Sequence, residues 1–119
     1  MRHRPGSSRQ WFALLALVLM HAWALPALAG PAAGWRFCYA GSERDRRFYV
    51  SQPFPTAQPL EAIERQWTVW LGRQALRYET AGCPRGADPS EVDASVRSAI
   101  HYNAGQGRNA VELDWKPVP

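Results

Sequence analysis

The sequence predicts an α+β fold: a two-layer sandwich in the order ββαβαβ, with about four strands in a mixed sheet and both helices on one of its faces. Three observations carry that expectation. Val111, Leu113 and Trp115 alternate with Glu112, Asp114 and Lys116, the period of a strand with one wet face. Leu60, Ile63, Trp67 and then Trp70 or Leu71 recur at spacings of three and four, the apolar stripe of a helix. Asp88-Pro89-Ser90-Glu91 reads as a helix start, with Asp88 as cap, Pro89 in the first turn and Glu91 three residues beyond the cap.

In chain order, Trp35 to Ala40 alternates Trp35, Phe37 and Tyr39 against Arg36, Cys38 and Ala40, and reads as the first strand. A polar link, Gly41 to Asp45, joins it to a second strand over Arg46 to Phe54, with Phe48 and Val50 on one face and Arg47, Tyr49 and Ser51 on the other. So short a link implies an antiparallel hairpin, which Pro53 and Pro55 end. The first helix runs from Pro59 to about Leu71, with Glu61 and Glu64 near its positive end and Gly72 as its stop. Trp67 and Trp70 lie on its apolar stripe and are assigned to the core. Ala75 to Thr80 alternates again as a third strand and leads to Cys83. The second helix places Val92, Val96, Ala99 or Ile100, and Asn103 on one face. Gly105 and Gly107 close it, and Arg108 to Trp115 forms the last strand.

Ahead of these elements stands a different kind of segment. Met1 to Gln10 carries Arg2, Arg4 and Arg9 and no acid; Trp11 to Met20 is uncharged; Ala27-Leu28-Ala29 offers small residues to a signal peptidase. A basic start, a short apolar middle and an A-x-A end predict a secretory signal cut after Ala29. A membrane anchor needs about 18 uninterrupted apolar residues, and His21 and Pro26 interrupt this run. The expected organisation is therefore a signal at 1–29, a flexible lead-in at 30–34 and one globular domain at 35–117, periplasmic or secreted, with no membrane attachment after cleavage.

Removal of the signal changes the charge. Three of the 14 basic residues precede residue 30 and all ten acids follow it, which leaves eleven bases against ten acids, a net of +1. Nucleic-acid binding rests on clustered positive charge, and none is expected here. Two cysteines remain, Cys38 and Cys83. An even count in an exported chain predicts a disulfide. The closed loop of about 45 residues is worth on the order of 4 kcal/mol in the chain-entropy model. No metal or cofactor is expected, because Cys38, Cys83 and His101 lack any close ligand spacing.

Catalytic groups are sparse. His101 is the only histidine past the signal and lies beside the apolar face of its helix. No G-x-S-x-G motif accompanies it, so it has neither nucleophile nor orienting acid. Glu61 with Glu64, and Glu112 with Asp114, are acid pairs, but each reads as the wet side of an amphipathic element. Gly105-Gln106-Gly107 follows a helix, whereas phosphate loops open one. Arg44, Arg46 and Arg47 mark a basic hairpin tip whose role the sequence leaves open.

Cys38-Tyr39, then Phe48-Tyr49-Val50-Ser51 with Phe54, then Cys83, then Trp115-Lys116-Pro117 form a pattern. It resembles a family of small exported proteobacterial two-cysteine domains of unknown function, with a C-Y start, Y-x-S-x-x-F, a second Cys and a terminal W-x-P. The resemblance spans nearly all of 35 to 117 and implies an exported single domain with two cysteines; the family has no established activity to carry over.

The expected function is a non-catalytic binding or accessory module acting on an exported protein partner or ligand, an inhibitor of an exported hydrolase being one version. A bare sheet face carrying Arg47, Tyr49, Arg77, Glu79, Glu112 and Asp114 is the candidate surface, alongside an exposed sheet edge. Two alternatives are a small hydrolase using His101 or an acid pair, and a thiol-redox protein. The cysteine spacing, far from C-x-x-C, argues against the second.

Overall fold

The computed structural model describes residues 34–119, which contain all seven strands and both helices considered below. The predicted signal, its cleavage site and residues 30–33 of the lead-in lie outside the described residues. The elements are β1 (Gly34–Arg36), β2 (Tyr39–Ser42), β3 (Arg47–Ser51), β4 (Phe54–Thr56), α1 (Leu60–Arg73), β5 (Thr80–Gly82), β6 (Arg85–Gly86), α2 (Pro89–Gly105) and β7 (Asn109–Leu113). The fold is α+β in the expected order, with two of the predicted strands each broken once and the third displaced and broken.

The breaks fall at one level. β1 pairs with β4 and β6, and β2 pairs with β3 and β5, all antiparallel, while β7 pairs parallel to β3. Trp35↔Gly86 and Tyr39↔Gly82 belong to one register. Cys38 therefore faces Cys83 directly across the ladder, and the two form a disulfide with Cα atoms 4.0 Å apart. Phe37 N–H donates to the Pro84 carbonyl at 3.3 Å within the same gap. On the other side, Arg36↔Phe54 and Tyr39↔Val50 leave two residues opposite three, a one-residue bulge at Ser51–Pro53. Ser51 fills it. Its hydroxyl accepts from Cys38 N–H at 2.8 Å and donates to the Gln52 carbonyl at 3.0 Å.

The helices lie on opposite faces of the sheet, and this corrects the two-layer expectation. Ala40 and Tyr49, together with Cys38 and Cys83, pack with Ile63, Trp67 and Leu71 of α1. Tyr39, Phe48 and Val50 pack with Val92 and Val96 of α2. Strand order explains it. Across β5-β2-β3-β7 the connection β3–α1–β5 steps one way and β5–α2–β7 steps back the other way. Two parallel crossovers of one hand that step in opposite directions must place their helices on opposite faces.

Both helices end in the same motif. In α2, Gly107 takes φ 80, Gly107 N–H donates to Ala104 O and Arg108 N–H to Asn103 O. In α1 the matching residue is Ala75 at φ 56, with Ala75 N–H to Gly72 O and Leu76 N–H to Leu71 O. These are Schellman closures; α1 runs through Gly72 and stops at Ala75 instead. Past that reversal Leu76 and Tyr78 pack on the α1 cluster without a ladder, so the third strand begins at Thr80 rather than Ala75. At the other end of α2, Asp88 Oδ1 accepts from Glu91 N–H at 2.8 Å, with Pro89 in the first turn, as predicted. α1 starts at Pro59, which caps without a side-chain bond.

Candidate functional site

α2 does not cover its whole face. Its start is seated at β6, where Val92 rests on Gly86. Its last turn reaches the far end of the sheet, where Arg46 of the β2–β3 turn donates to the Gln106 carbonyl at 3.1 Å. A two-lobed cleft remains between the C-terminal half of α2 and the β5–β2 half of the sheet. One lobe, of about 520 Å³, is lined by Phe37, Pro84, Ser95, Ser98 and Ala99; the other, of about 510 Å³, by Gly41, Glu43, Glu79, Thr80 and Arg108. Tyr39, Phe48, Tyr102 and Asn103 line both.

The floor is aromatic. The Tyr39 ring stands 5.9 Å from Phe48 and 6.4 Å from Phe37. Gly41 keeps the polar lobe open: a Cβ there would lie 2.8 Å from Thr80 Oγ1. Tyr102, 64% exposed, forms the rim. The far wall is fixed by a chain of bonds. Asn103 Nδ2 donates to the Ala99 carbonyl at 2.8 Å, Arg108 Nε to Asn103 Oδ1 at 2.7 Å, and Arg108 Nη1 to Glu43 Oε2 at 2.7 Å. Arg46 pairs with the other Glu43 oxygen. Among the described residues no buried side-chain polar atom lacks a partner. The wall is therefore preformed rather than assembled by a ligand.

The structure disperses the surface expected from sequence. Tyr49 is buried beneath α1 at 6% exposure, because the face assigned to solvent carries a helix. Glu112 pairs with Val50 and so sits on the face opposite Tyr49. Arg47 is exposed at the start of β3, Arg77 is exposed ahead of β5, and Asp114 is exposed just past β7. Of the six, Glu79 alone lines the cleft. Tyr39, Tyr102, Asn103, Arg108 and Glu43 lie outside the surface that the sequence predicts. The sequence did carry one signal for them: glycines at 41 and 82, inside the observed strands, mark a close approach to a backbone. Tyr39 indeed lies over Gly82.

His101 is exposed on α2 and lines neither lobe. Cys38 and Cys83 are 0% and 3% exposed, which denies an attacking thiolate a path to the bond. Trp67 and Trp70 stack on each other at 5.9 Å, Trp67 fully buried in the α1 cluster and Trp70 partly buried against it. Among the described residues no three His, Cys, Asp or Glu side chains gather as a metal site, and no helix is long and apolar enough to cross a membrane. Comparison with protein-family models, with curated proteins and with solved structures gives no match to this chain.

Proposed function

We propose that this chain is an exported, non-catalytic binding module whose contact surface is the cleft between α2 and the β5–β2 half of the sheet. The observation that carries the reading is the combination of an aromatic floor with a wall already locked by Asn103, Arg108 and Glu43. Such a cleft binds without ordering itself first, which removes a major cost of association. Export is supported by the signal-like segment at 1–29 and by a buried disulfide, which persists in oxidising compartments. An exported protein fits as the partner, a hydrolase under inhibition being one version, since the exposed Tyr102 on the rim is a typical interface anchor.

The test is capture from an exported-protein fraction by three forms of the oxidised protein: wild type, Tyr102→Ala, and Glu112→Arg on the β7 edge. Loss of the captured partner with Tyr102→Ala and retention with Glu112→Arg is the expected result. The reverse pattern would move the surface to the sheet edge and overturn the cleft. The isolated protein should begin at Gly30 by mass spectrometry; Met1 would overturn export by cleavage.

A further inference from the structure

We propose that the polar lobe of the cleft receives a lysine or arginine side chain of the protein partner, a step that rests on the cleft being the contact surface. The lobe contains Glu43, Glu79 and Arg108, two acids against one base. Glu43 is satisfied by Arg46 and Arg108. Glu79 is in no ion pair among the described residues; its one hydrogen bond there is accepted by Oε1 from Glu43 N–H. One carboxylate lining the lobe thus has no ion-pair partner among the described residues. The rings of Tyr39 and Tyr102 line the same lobe. The face of a tyrosine ring attracts a cation, more so where water is excluded.

The second lobe decides what kind of cation. It is lined by Phe37, Pro84 and Ala99, with Ser95 and Ser98 beside them and no charged residue, and it shares Tyr39 and Phe48 with the lobe that holds the charged groups. A long side chain with an aliphatic stem and a charged head matches that sequence of surroundings, stem along the rings and Ala99 of the uncharged lobe and head among the charged groups. A free amino acid is a poorer fit, because its own carboxylate would enter a region whose unpaired charge is negative. An anionic ligand is disfavoured for the same reason, and Arg108 is turned toward Asn103 and Glu43, with its side chain 19% exposed. The occupant is a basic residue within a polypeptide.

The test titrates the oxidised full chain with the blocked peptide acetyl-Leu-Lys-Ser-amide and with the same peptide acetylated on the lysine, read by amide chemical shifts. Acetylation removes the charge and keeps the stem. Shifts should centre on Gly41, Thr80, Tyr102 and Arg108. The charged peptide should bind about tenfold more tightly, a preference that shrinks in high salt. Glu79→Gln should abolish the preference while its amide oxygen still accepts from Glu43 N–H, so the fold is retained. Equal affinity of the two peptides for the wild type would overturn the cationic side chain. If capture then still depended on Tyr102, the cleft reading would stand without it. Shifts confined to the β7 edge, or none at millimolar peptide, would overturn the cationic occupant as well.

Discussion

The two faces of the sheet are closed by different means. On the α1 face large rings meet one another: Trp67 lies 5.0 Å from Trp115 and 5.9 Å from Trp70, and Phe54 meets Trp115 edge-on at 5.8 Å. The Trp67 indole N–H donates to the Tyr39 carbonyl at 2.9 Å, so its one polar atom is satisfied inside the core. The tail is tied down over this face, where Gln58 Nε2 donates to the Val118 carbonyl and Val118 N–H donates to Gln66 Oε1, both at 2.8 Å. On the α2 face the rings come from the sheet alone, Phe37, Tyr39 and Phe48; the helix meets them with Val92, Val96 and Ala99, which are short, and Gly41 and Gly82 add no side chain beside them. Short residues cannot span the distance from a helix to the far strands, so this face closes at one end and stays open at the other. Rings from helix and sheet fill one face, and open surface remains on the other.

Truncation of Trp67 is the strongest way to break the contrast. Trp67→Ala removes a fully buried ring whose neighbours are themselves rings and cannot collapse into the space. A loss of about 3–5 kcal/mol is expected in a urea titration of the oxidised protein. Val96→Ala on the other face should cost roughly 1–3 kcal/mol, since it deletes only two methyl groups from a buried position. Equal losses would mean that the two faces are equally consolidated.

Next in size is the crosslink, which belongs to the α1 side. Cys38→Ser should destabilise by about 2–5 kcal/mol. Cys83→Ser, the double mutant and the reduced protein should lose similar amounts, because each breaks the same bond. Unchanged midpoints, or two free thiols titrated in the native protein, would show that the strands hold their register without it.

How legible these features were depended on the range over which each is determined. Helix α2 follows from local chemistry at Asp88, Pro89 and Glu91, and its observed bounds, Pro89–Gly105, extend the expected element by a residue or so. The disulfide follows from the cysteine count. The apolar alternation expected over Arg108 to Trp115 is present, with Val111 and Leu113 half-buried, Trp115 buried, and Glu112 and Asp114 exposed, although β7 itself ends at Leu113. What the sequence did not disclose was strand order, and with it the face each helix covers. Arg47, Tyr49 and Ser51 look like a wet face when β3 is read alone; only the crossover from β4 to β5 places α1 over Tyr49 and Ser51. The bulge at Ser51–Pro53 was hidden for a similar reason, as it compares two strands rather than one. The cleft depends on both, since it is the part of a face that one helix fails to reach.

The ends of the helices give a smaller and sharper comparison. Gly107 and Ala75 occupy the same position of the same motif, and only glycine enters that left-handed region without a steric penalty. Ala75→Gly should therefore stabilise by about 0.5–1 kcal/mol, the strain relieved in the fold exceeding the added freedom of the unfolded chain. Gly107→Ala should destabilise by at least as much, because alanine takes on the left-handed strain and its Cβ displaces the Arg46 guanidinium that holds the Gln106 carbonyl. Thermal melts of the two variants should move in opposite directions, and a shared direction would show that Ala75 is not strained.

The smallest effect on stability should accompany the largest on binding. Tyr102 is in the last turns of α2 with most of its surface in water, and no hydrogen bond of its hydroxyl is present among the described residues. Tyr102→Ala should therefore leave the unfolding free energy within about 0.5 kcal/mol of wild type. The ring nevertheless lines both lobes, where it can cover a bound side chain along its length. Removing a tyrosine from such a position costs partner affinity about tenfold or more. Urea midpoints and partner titrations on one preparation separate the two quantities. An unchanged midpoint with weakened binding places the ring in the interface alone. A large fall in the midpoint would instead make Tyr102 part of what holds α2 to the sheet, and the open end of that face would then be a packing defect rather than a site.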